Sequence, residues 1–261
     1  FFIKKSLPFY LTKSQEKVLN EINDDLHSKK RMFRIIQGDV GSGKTIISLL
    51  SIANVVESKN QCALMAPTEI LAKQHYELAK KIFVNTKIKI EFLTGKTDLK
   101  KRKKIINDLK IGALDLIIGT HALFQKKIDF KNLGYIIIDE QHKFGVKQRM
   151  SLAEKGGNNC DVLLMSATPI PRTMMLTVYG DMDVSRLTEK PSNRLQILTY
   201  SKPEKKIQEL IKIIKKNLSQ NNQVFWVCPL IKESQILDYS SVKTRFEWLK
   251  KKFPNETSIL H

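Results

Sequence analysis

The residues best suited to chemistry form a glycine-rich loop near the start of the chain. Residues 38–45 read Gly-Asp-Val-Gly-Ser-Gly-Lys-Thr, which fits G-x-x-x-x-G-K-[ST] between a predicted strand and a predicted helix. In such loops backbone N–H groups bind phosphate, the lysine reaches the terminal phosphates and the hydroxyl binds Mg²⁺. A turn that only links strand to helix would not need the complete pattern. We therefore predict that a nucleoside triphosphate and Mg²⁺ bind at Gly38, Gly41, Ser42, Gly43, Lys44 and Thr45.

Two carboxylates further along the chain complete this prediction. The apolar run Tyr135–Ile138 reads as a strand, and Asp139 and Glu140 follow it directly. Asp139 could join Thr45 in binding Mg²⁺, and Glu140 could orient an attacking water. Acidic residues after a strand are common in ordinary loops, so the pair gains its meaning from the phosphate loop. Together the two motifs predict a nucleoside triphosphatase.

Alternating short apolar runs and amphipathic segments must position these residues. Thr12 and Gln15 have the spacing of a capping box, which predicts a helix over residues 14–28. Residues 69–83 and 98–110 are long enough for crossover helices. This alternation predicts an α/β fold with a mainly parallel sheet and helices on both faces. The predicted strands are residues 32–36, 62–66, 88–93, 114–118, 135–138 and 162–165.

A polar stretch with turn-forming residues, 189–194, predicts a domain boundary. The first domain would span 1–190 and the second would begin at 195. In the second, residues 195–200 and 224–227 read as strands and residues 203–218 as a helix. Residues 195–261 are too few for a complete doubly wound domain, so we expect a truncated one.

Composition limits the class of protein. The chain has 45 Lys and Arg against 26 Asp and Glu, a formal net charge of +19 that would attract nucleic acid, although an A/T-rich genome also favours lysine. No apolar run approaches the roughly 20 residues that span a bilayer, so we expect no membrane association. The scattered cysteines, Cys62, Cys160 and Cys228, indicate neither a disulfide framework nor a zinc site. We expect a protein of the reducing cytoplasm.

Longer motifs resemble those of a known family. Residues 139–149 begin Asp-Glu-Gln-His and resemble the second motif of superfamily 2 helicases, in the form typical of the RecG branch-migrating DNA helicases. The resemblance covers nearly the whole chain. It includes a third motif at 166–173 and the segment after it at 179–185, an adenine-recognition motif at 7–15, DNA-facing motifs at 66–75, 93–95 and 118–123, and the opening of a second motor domain at 226–231.

The resemblance implies a RecA-like P-loop domain followed by part of a second RecA-like domain, with branched or double-stranded DNA as partner. It implies catalytic roles for Lys44, Asp139, Glu140 and His142, and an adenine contact for Gln15. DNA contacts are implied for Thr68, Gly95 and Thr120, each of which could equally serve in local capping or a turn. His75 and His121 receive no metal.

The sequence also departs from the family pattern. Lys143 replaces the usual arginine, which would weaken a bidentate contact to a point-charge contact, and residues 191–194 differ from the usual Pro-Pro-Gly-Arg. The family's fifth and sixth motifs, with their arginine finger, and its OB-fold wedge domain do not occur in these residues. An arginine finger is worth about 10³ to 10⁵ in rate, so we expect the 261 residues to bind ATP and hydrolyse it poorly. The wedge and the rest of the second motor domain are expected as partners in the same polypeptide.

Three other functions remain open at this point. A transcription-repair coupling translocase has similar motor motifs, but typically reads Glu-Glu-Gln-Arg where this chain has Glu140–Lys143. A non-catalytic, nucleotide-gated DNA-binding module predicts that Glu140→Gln leaves activity unchanged. A P-loop metabolic kinase predicts no salt-dependent binding to a labelled DNA fork.

Overall fold

Parallel strands form the centre of the first of two units. The computed structural model describes residues 3, 7–125, 127–140, 160–168, 182–189, 197–228 and 242–259. The chain divides into Phe1–Leu195 and Gln196–His261, next to the polar stretch predicted as a boundary. Within the described part, the first unit has a seven-stranded sheet in the order β3-β4-β2-β5-β6-β1-β7, with every paired strand parallel. The strands are β1 (Phe33–Gly38), β2 (Gln61–Met65), β3 (Ile90–Leu93), β4 (Leu116–Gly119), β5 (Leu133–Ile138), β6 (Asp161–Ser166) and β7 (Asp183–Leu187).

One helix precedes β1, and helices connect β1 to β2, β2 to β3 and β3 to β4, as the alternation predicts. The first begins with a capping box, because the Thr12 hydroxyl accepts from the Gln15 N–H and the Gln15 side chain accepts from the Thr12 N–H. The third is capped by Thr68 and the fourth by Asp98. The helices of this unit are α1 (Lys13–His27), α2 (Lys44–Glu57), α3 (Glu69–Ile82), α4 (Leu99–Ile111) and a short 3₁₀-helix (His121–Phe124).

Apolar side chains are buried on both faces of the sheet. Neighbouring residues of one strand point to opposite faces, so Ile136 and Ile137 belong to different hydrophobic clusters. One cluster contains the buried faces of α1 and α2, and the other contains Ile105 and Leu109 of α4. Burial on both faces explains why most of these strands read as continuous apolar runs, and it confirms the predicted α/β class.

The second unit differs from its prediction. It contains a 3₁₀-helix (Glu204–Lys206), α5 (Ile207–Ser219) and α6 (Val242–Lys252), and the helix predicted over 203–218 is therefore present. The strands predicted at 195–200 and 224–227 were wrong where residues are described, because 197–200 and 224–227 belong to no strand. A strand needs a neighbour to receive its backbone hydrogen bonds, and the described residues of this unit supply no such strand. Its character as a second RecA-like domain stays a prediction.

None of the described helices combines the length and apolar character that crossing a bilayer requires.

Candidate nucleotide-binding site

The glycine-rich loop connects β1 to α2. Gly41 and Gly43 have φ angles of 78° and 93°, a region that favours glycine, and Gly43 is the N-cap residue of α2. A Cβ atom at Gly38 would lie 2.6 Å from the Ser42 Oγ and 2.9 Å from the Leu187 Cβ. The loop therefore turns tightly against the sheet edge, and the first N–H groups of α2 are available for an anion.

Lys44 lies inside this loop. Its Nζ atom donates to the carbonyl oxygens of Gly38, at 2.5 Å, and Asp39, at 3.1 Å. Burial lowers the pKa of Lys44, and the negative charges of Glu140, Asp139 and Asp39 oppose that shift. The lysine and the two acids thus lie close enough to interact electrostatically. They meet because β1 and β5 are separated by one strand, β6, and the carboxyl ends of parallel strands share one edge.

The carboxylate of Asp139 is buried and held at both oxygens. Oδ1 accepts the backbone N–H of Glu140 at 3.0 Å, and Oδ2 lies 2.7 Å from Nε2 of His75. The backbone N–H of Asp139 also donates to the carbonyl of Met65 at 2.8 Å. Glu140 has a φ of 46°, in the left-handed region, which costs an ordinary residue about 1–3 kcal/mol. The sharp turn after β5 therefore has an energetic cost that the surrounding structure must offset.

The residues of this site suit a magnesium nucleotide. The Ser42 Oγ is buried and has no hydrogen-bond partner among the described residues, as a donor reserved for a ligand would be. Mg²⁺ is usually bound through one or two carboxylates and substrate phosphates, and Asp139 and Thr45 supply the protein oxygens for this. In the described residues, no group of three or more His, Cys, Asp and Glu side chains could hold a metal ion without oxygen ligands from a nucleotide or water.

Gln15 connects α1 to the phosphate loop. It is 3% exposed; its Oε1 accepts from the N–H of Thr12 at 2.9 Å and its Nε2 donates to the carbonyl of Ser42 at 2.8 Å. The sequence identified the capping bond but not the bond to the loop. A contact between Gln15 and adenine remains a prediction.

The residues predicted to contact DNA follow three neighbouring strands. Thr68 follows β2 and is exposed, although its hydroxyl already accepts the Leu71 N–H as the cap of α3. Gly95 follows β3, and no atom lies within 4 Å of where its Cβ would be. Thr120 follows β4 but is only 2% exposed, and its hydroxyl has no partner among the described residues. Because β3, β4 and β2 are adjacent, all three lie at one sheet edge.

Some predicted residues lie outside the described part of the chain. His142 and the rest of 141–150 are among them, as is most of the third motif, residues 169–173. The beginning of that motif is described: the Ser166 hydroxyl donates to the Thr168 carbonyl at 3.1 Å. The role predicted for His142 therefore stays a prediction.

His75 is the residue that sequence reasoning missed. It lies on α3, after β2, whereas its partner Asp139 follows β5. Only the adjacency of β2 and β5 brings the two together, and strand order is not visible in a single sequence. The sequence offers only the position of His75 on the helix that follows a predicted strand, and this does not identify Asp139 as its partner.

Known proteins resemble this chain in sequence. A family model described as DEAD/DEAH box helicase matches residues 12–176. The chain is 43% identical to the ATP-dependent DNA helicase RecG of Aquifex aeolicus over 99% of its length and 33% of that protein. It is 45% identical to the RecG of Thermotoga maritima, over 98% of this chain and 33% of that protein. The chain thus spans about a third of these relatives.

Solved structures are also similar. A structure described as RecG bound to a three-way DNA junction has a TM-score of 0.82 and 40% identity, covering 96% of this chain and 32% of that one. The DEAD-box helicase Mss116, bound to single-stranded RNA, has a TM-score of 0.62 at 22% identity, covering 84% of this chain and 50% of that one. The first likeness supports a RecA-like helicase domain, and the second supports only the fold.

Proposed function

The chain belongs to the DEAD/DEAH box helicase family, and we therefore propose that it is the nucleotide-binding motor domain of an ATP-dependent DNA helicase that remodels branched DNA. The observation that supports this best is that the phosphate loop after β1 and the acidic pair after β5 lie at the same edge of the parallel sheet, where the charges of Asp139 and Glu140 act on the pKa of Lys44. Because the chain spans about a third of its curated relatives, the proposal concerns the whole protein's activity. Its cytoplasmic location is part of the same proposal.

Each residue of the site has a distinct part in this function. The loop N–H groups and Lys44 would bind the phosphates of ATP, and Lys44 would exchange two backbone carbonyls for phosphate oxygens. Thr45 and Asp139 would bind Mg²⁺, whose charge stabilises the triphosphate during hydrolysis. Glu140 would orient the attacking water. His142 would connect this site to DNA.

DNA is the proposed track for the motor. A net charge of +19 favours a polyanion, and Thr68, Gly95 and Thr120 lie at one sheet edge after adjacent strands. The relatives reported above are named as RecG DNA helicases, and one is described with a three-way DNA junction. These names do not favour a transcription-repair coupling translocase or a non-catalytic binding module.

The proposal is tested with the full-length protein on a labelled DNA fork. Lys44→Ala should abolish fork-stimulated ATP hydrolysis while fork binding, measured by fluorescence anisotropy, persists. Glu140→Gln should keep nucleotide binding and lose turnover, whereas a non-catalytic module predicts no change in activity. Binding should weaken with salt because phosphate contacts release counterions. Fork binding without a negative salt slope, or unaffected ATP hydrolysis in Lys44→Ala, would refute this function.

A further inference from the structure

His75 is a buried polar side chain between α3 and the end of β5. It is 7% exposed, and its Nε2 lies 2.7 Å from Oδ2 of Asp139. An ionised carboxylate only accepts hydrogen bonds, so the imidazole nitrogen is the donor. With the Glu140 N–H on Oδ1, each oxygen of Asp139 accepts one bond from a donor that the fold holds in place. The plane of this carboxylate is therefore fixed by the protein.

A fixed carboxylate still has capacity for a metal shell. Each oxygen has a second lone pair, so the two bonds leave acceptor sites on both oxygens. Partners that orient a metal-binding carboxylate affect metal binding strongly, and their loss typically costs about 10- to 100-fold in affinity. His75 is such a partner, because it orients Asp139 through a hydrogen bond. None of the contacts described above joins His75 to the phosphate loop.

The helix that carries His75 also leads to the expected DNA face. Thr68 caps its N-terminus, and Glu69 in its first turn pairs with Lys96 at 3.0 Å, in the loop after β3. His75 follows Thr68 by seven positions, about two turns or 10 Å along the helix axis. The continuous helix therefore connects the residues at its first turn to the turn that carries His75.

We propose that His75 is a positioning residue that sets the Mg²⁺ affinity of the nucleotide site and links that affinity to DNA bound at the N-terminal end of α3. The inference rests on the proposed function, since it needs both a nucleotide and DNA. It assigns to α3 a connection between the two sites that runs through one hydrogen bond, from His75 to Asp139. By linkage, any DNA effect on Mg²⁺ affinity must be matched by an equal Mg²⁺ effect on DNA affinity.

The test measures the Mg²⁺ concentration at half-maximal binding of a fluorescent, slowly hydrolysed ATP analogue to the full-length protein. His75→Leu, which removes the donor, should raise this midpoint about 10-fold or more, with nucleotide affinity in EDTA unchanged. His75→Gln can place an amide N–H near the position of Nε2 and should restore the midpoint to within about threefold of wild type. His75→Asn is too short to reach Oδ2 and should behave like His75→Leu, which provides a second variant if the leucine variant fails to fold.

The same Mg²⁺ midpoints are then measured in the presence of DNA. A forked DNA should lower the Mg²⁺ midpoint of the wild type and leave those of His75→Leu and His75→Asn unchanged. His27→Leu, at an exposed position of α1, is the control for losing a histidine and should match the wild type. A lowered melting temperature with a wild-type Mg²⁺ midpoint would mean that His75 is only structural, and equal DNA shifts in all variants would also overturn the inference. If the wild type itself shows no Mg²⁺-dependent nucleotide binding, the proposed function fails instead.

Discussion

Replacement of Gln15 tests how α1 supports the phosphate loop. The side chain makes two bonds, one to the Thr12 N–H and one to the Ser42 carbonyl, and it is 3% exposed. In Gln15→Ala the capping bond is lost at a cost of about 1 kcal/mol. The Ser42 carbonyl also loses its buried donor, which costs about 1–3 kcal/mol more. We expect Gln15→Ala to lower the free energy of unfolding by about 2–4 kcal/mol.

Gln15→Glu separates the two contributions. Its carboxylate can still accept the Thr12 N–H at the start of α1, where a negative charge is favourable, but it cannot donate to Ser42. Its second oxygen would also face the Ser42 carbonyl, acceptor against acceptor, at a position that is 3% exposed, so Glu should be more destabilising than Ala by about 1 kcal/mol or more. Urea unfolding followed by far-UV circular dichroism measures both, because both tryptophans lie in the second unit and do not report on α1. If Gln15→Ala lies within about 0.5 kcal/mol of wild type, or if Glu and Ala are equal, the bracing role of Gln15 is refuted.

Two further predictions concern the stability of glycine variants and the reactivity of the cysteine thiols. Gly43→Ala should lower the melting temperature, because a φ of 93° costs an L-residue about 1–2 kcal/mol and the added Cβ has no room. Gly95→Ala adds its Cβ in open space, so its stability should stay within about 0.5 kcal/mol of wild type. Differential scanning calorimetry compares the two variants, and equal melting temperatures would contradict the loop geometry. Burial raises the pKa of the Cys160 thiol to about 12 and that of Cys62 well above its usual value, so both stay protonated at pH 8. Ellman's reagent should label Cys228 quickly in the native protein and all three cysteines after unfolding; rapid native labelling of three would contradict the fold.

Most of the first unit could be predicted because its strands are buried on both faces. Such strands read as continuous apolar runs, and six of the seven described strands were found this way, within a few residues. β7 was missed because it pairs with β1 alone and has only two apolar residues, Val184 and Leu187, with Asp183 and Arg186 exposed. An edge strand of this kind carries no apolar run to detect. In the second unit, by contrast, apolar runs at 197–200 and 224–227 were wrongly predicted as strands, since a strand depends on partners as well as on composition.

The site divides in the same way. The phosphate loop and the pair Asp139 and Glu140 are local patterns, so the sequence predicted both and their shared edge followed from the parallel sheet. The contacts of His75 with Asp139 and of Gln15 with Ser42 join distant segments through strand and helix order. A single sequence does not contain that order, so these two contacts could only come from the structure.

The central claim is that the loop and the acidic pair bind one magnesium nucleotide together. The most direct measurement is a double-mutant cycle of Lys44→Gln and Asp139→Asn, on the affinity for a slowly hydrolysed ATP analogue with Mg²⁺ and with EDTA. Asp139→Asn should remove the gain in affinity that Mg²⁺ gives, and the two substitutions should be non-additive by more than about 0.5 kcal/mol with Mg²⁺. An undiminished Mg²⁺ gain in Asp139→Asn, together with additive effects, would show that the two residues do not share a ligand.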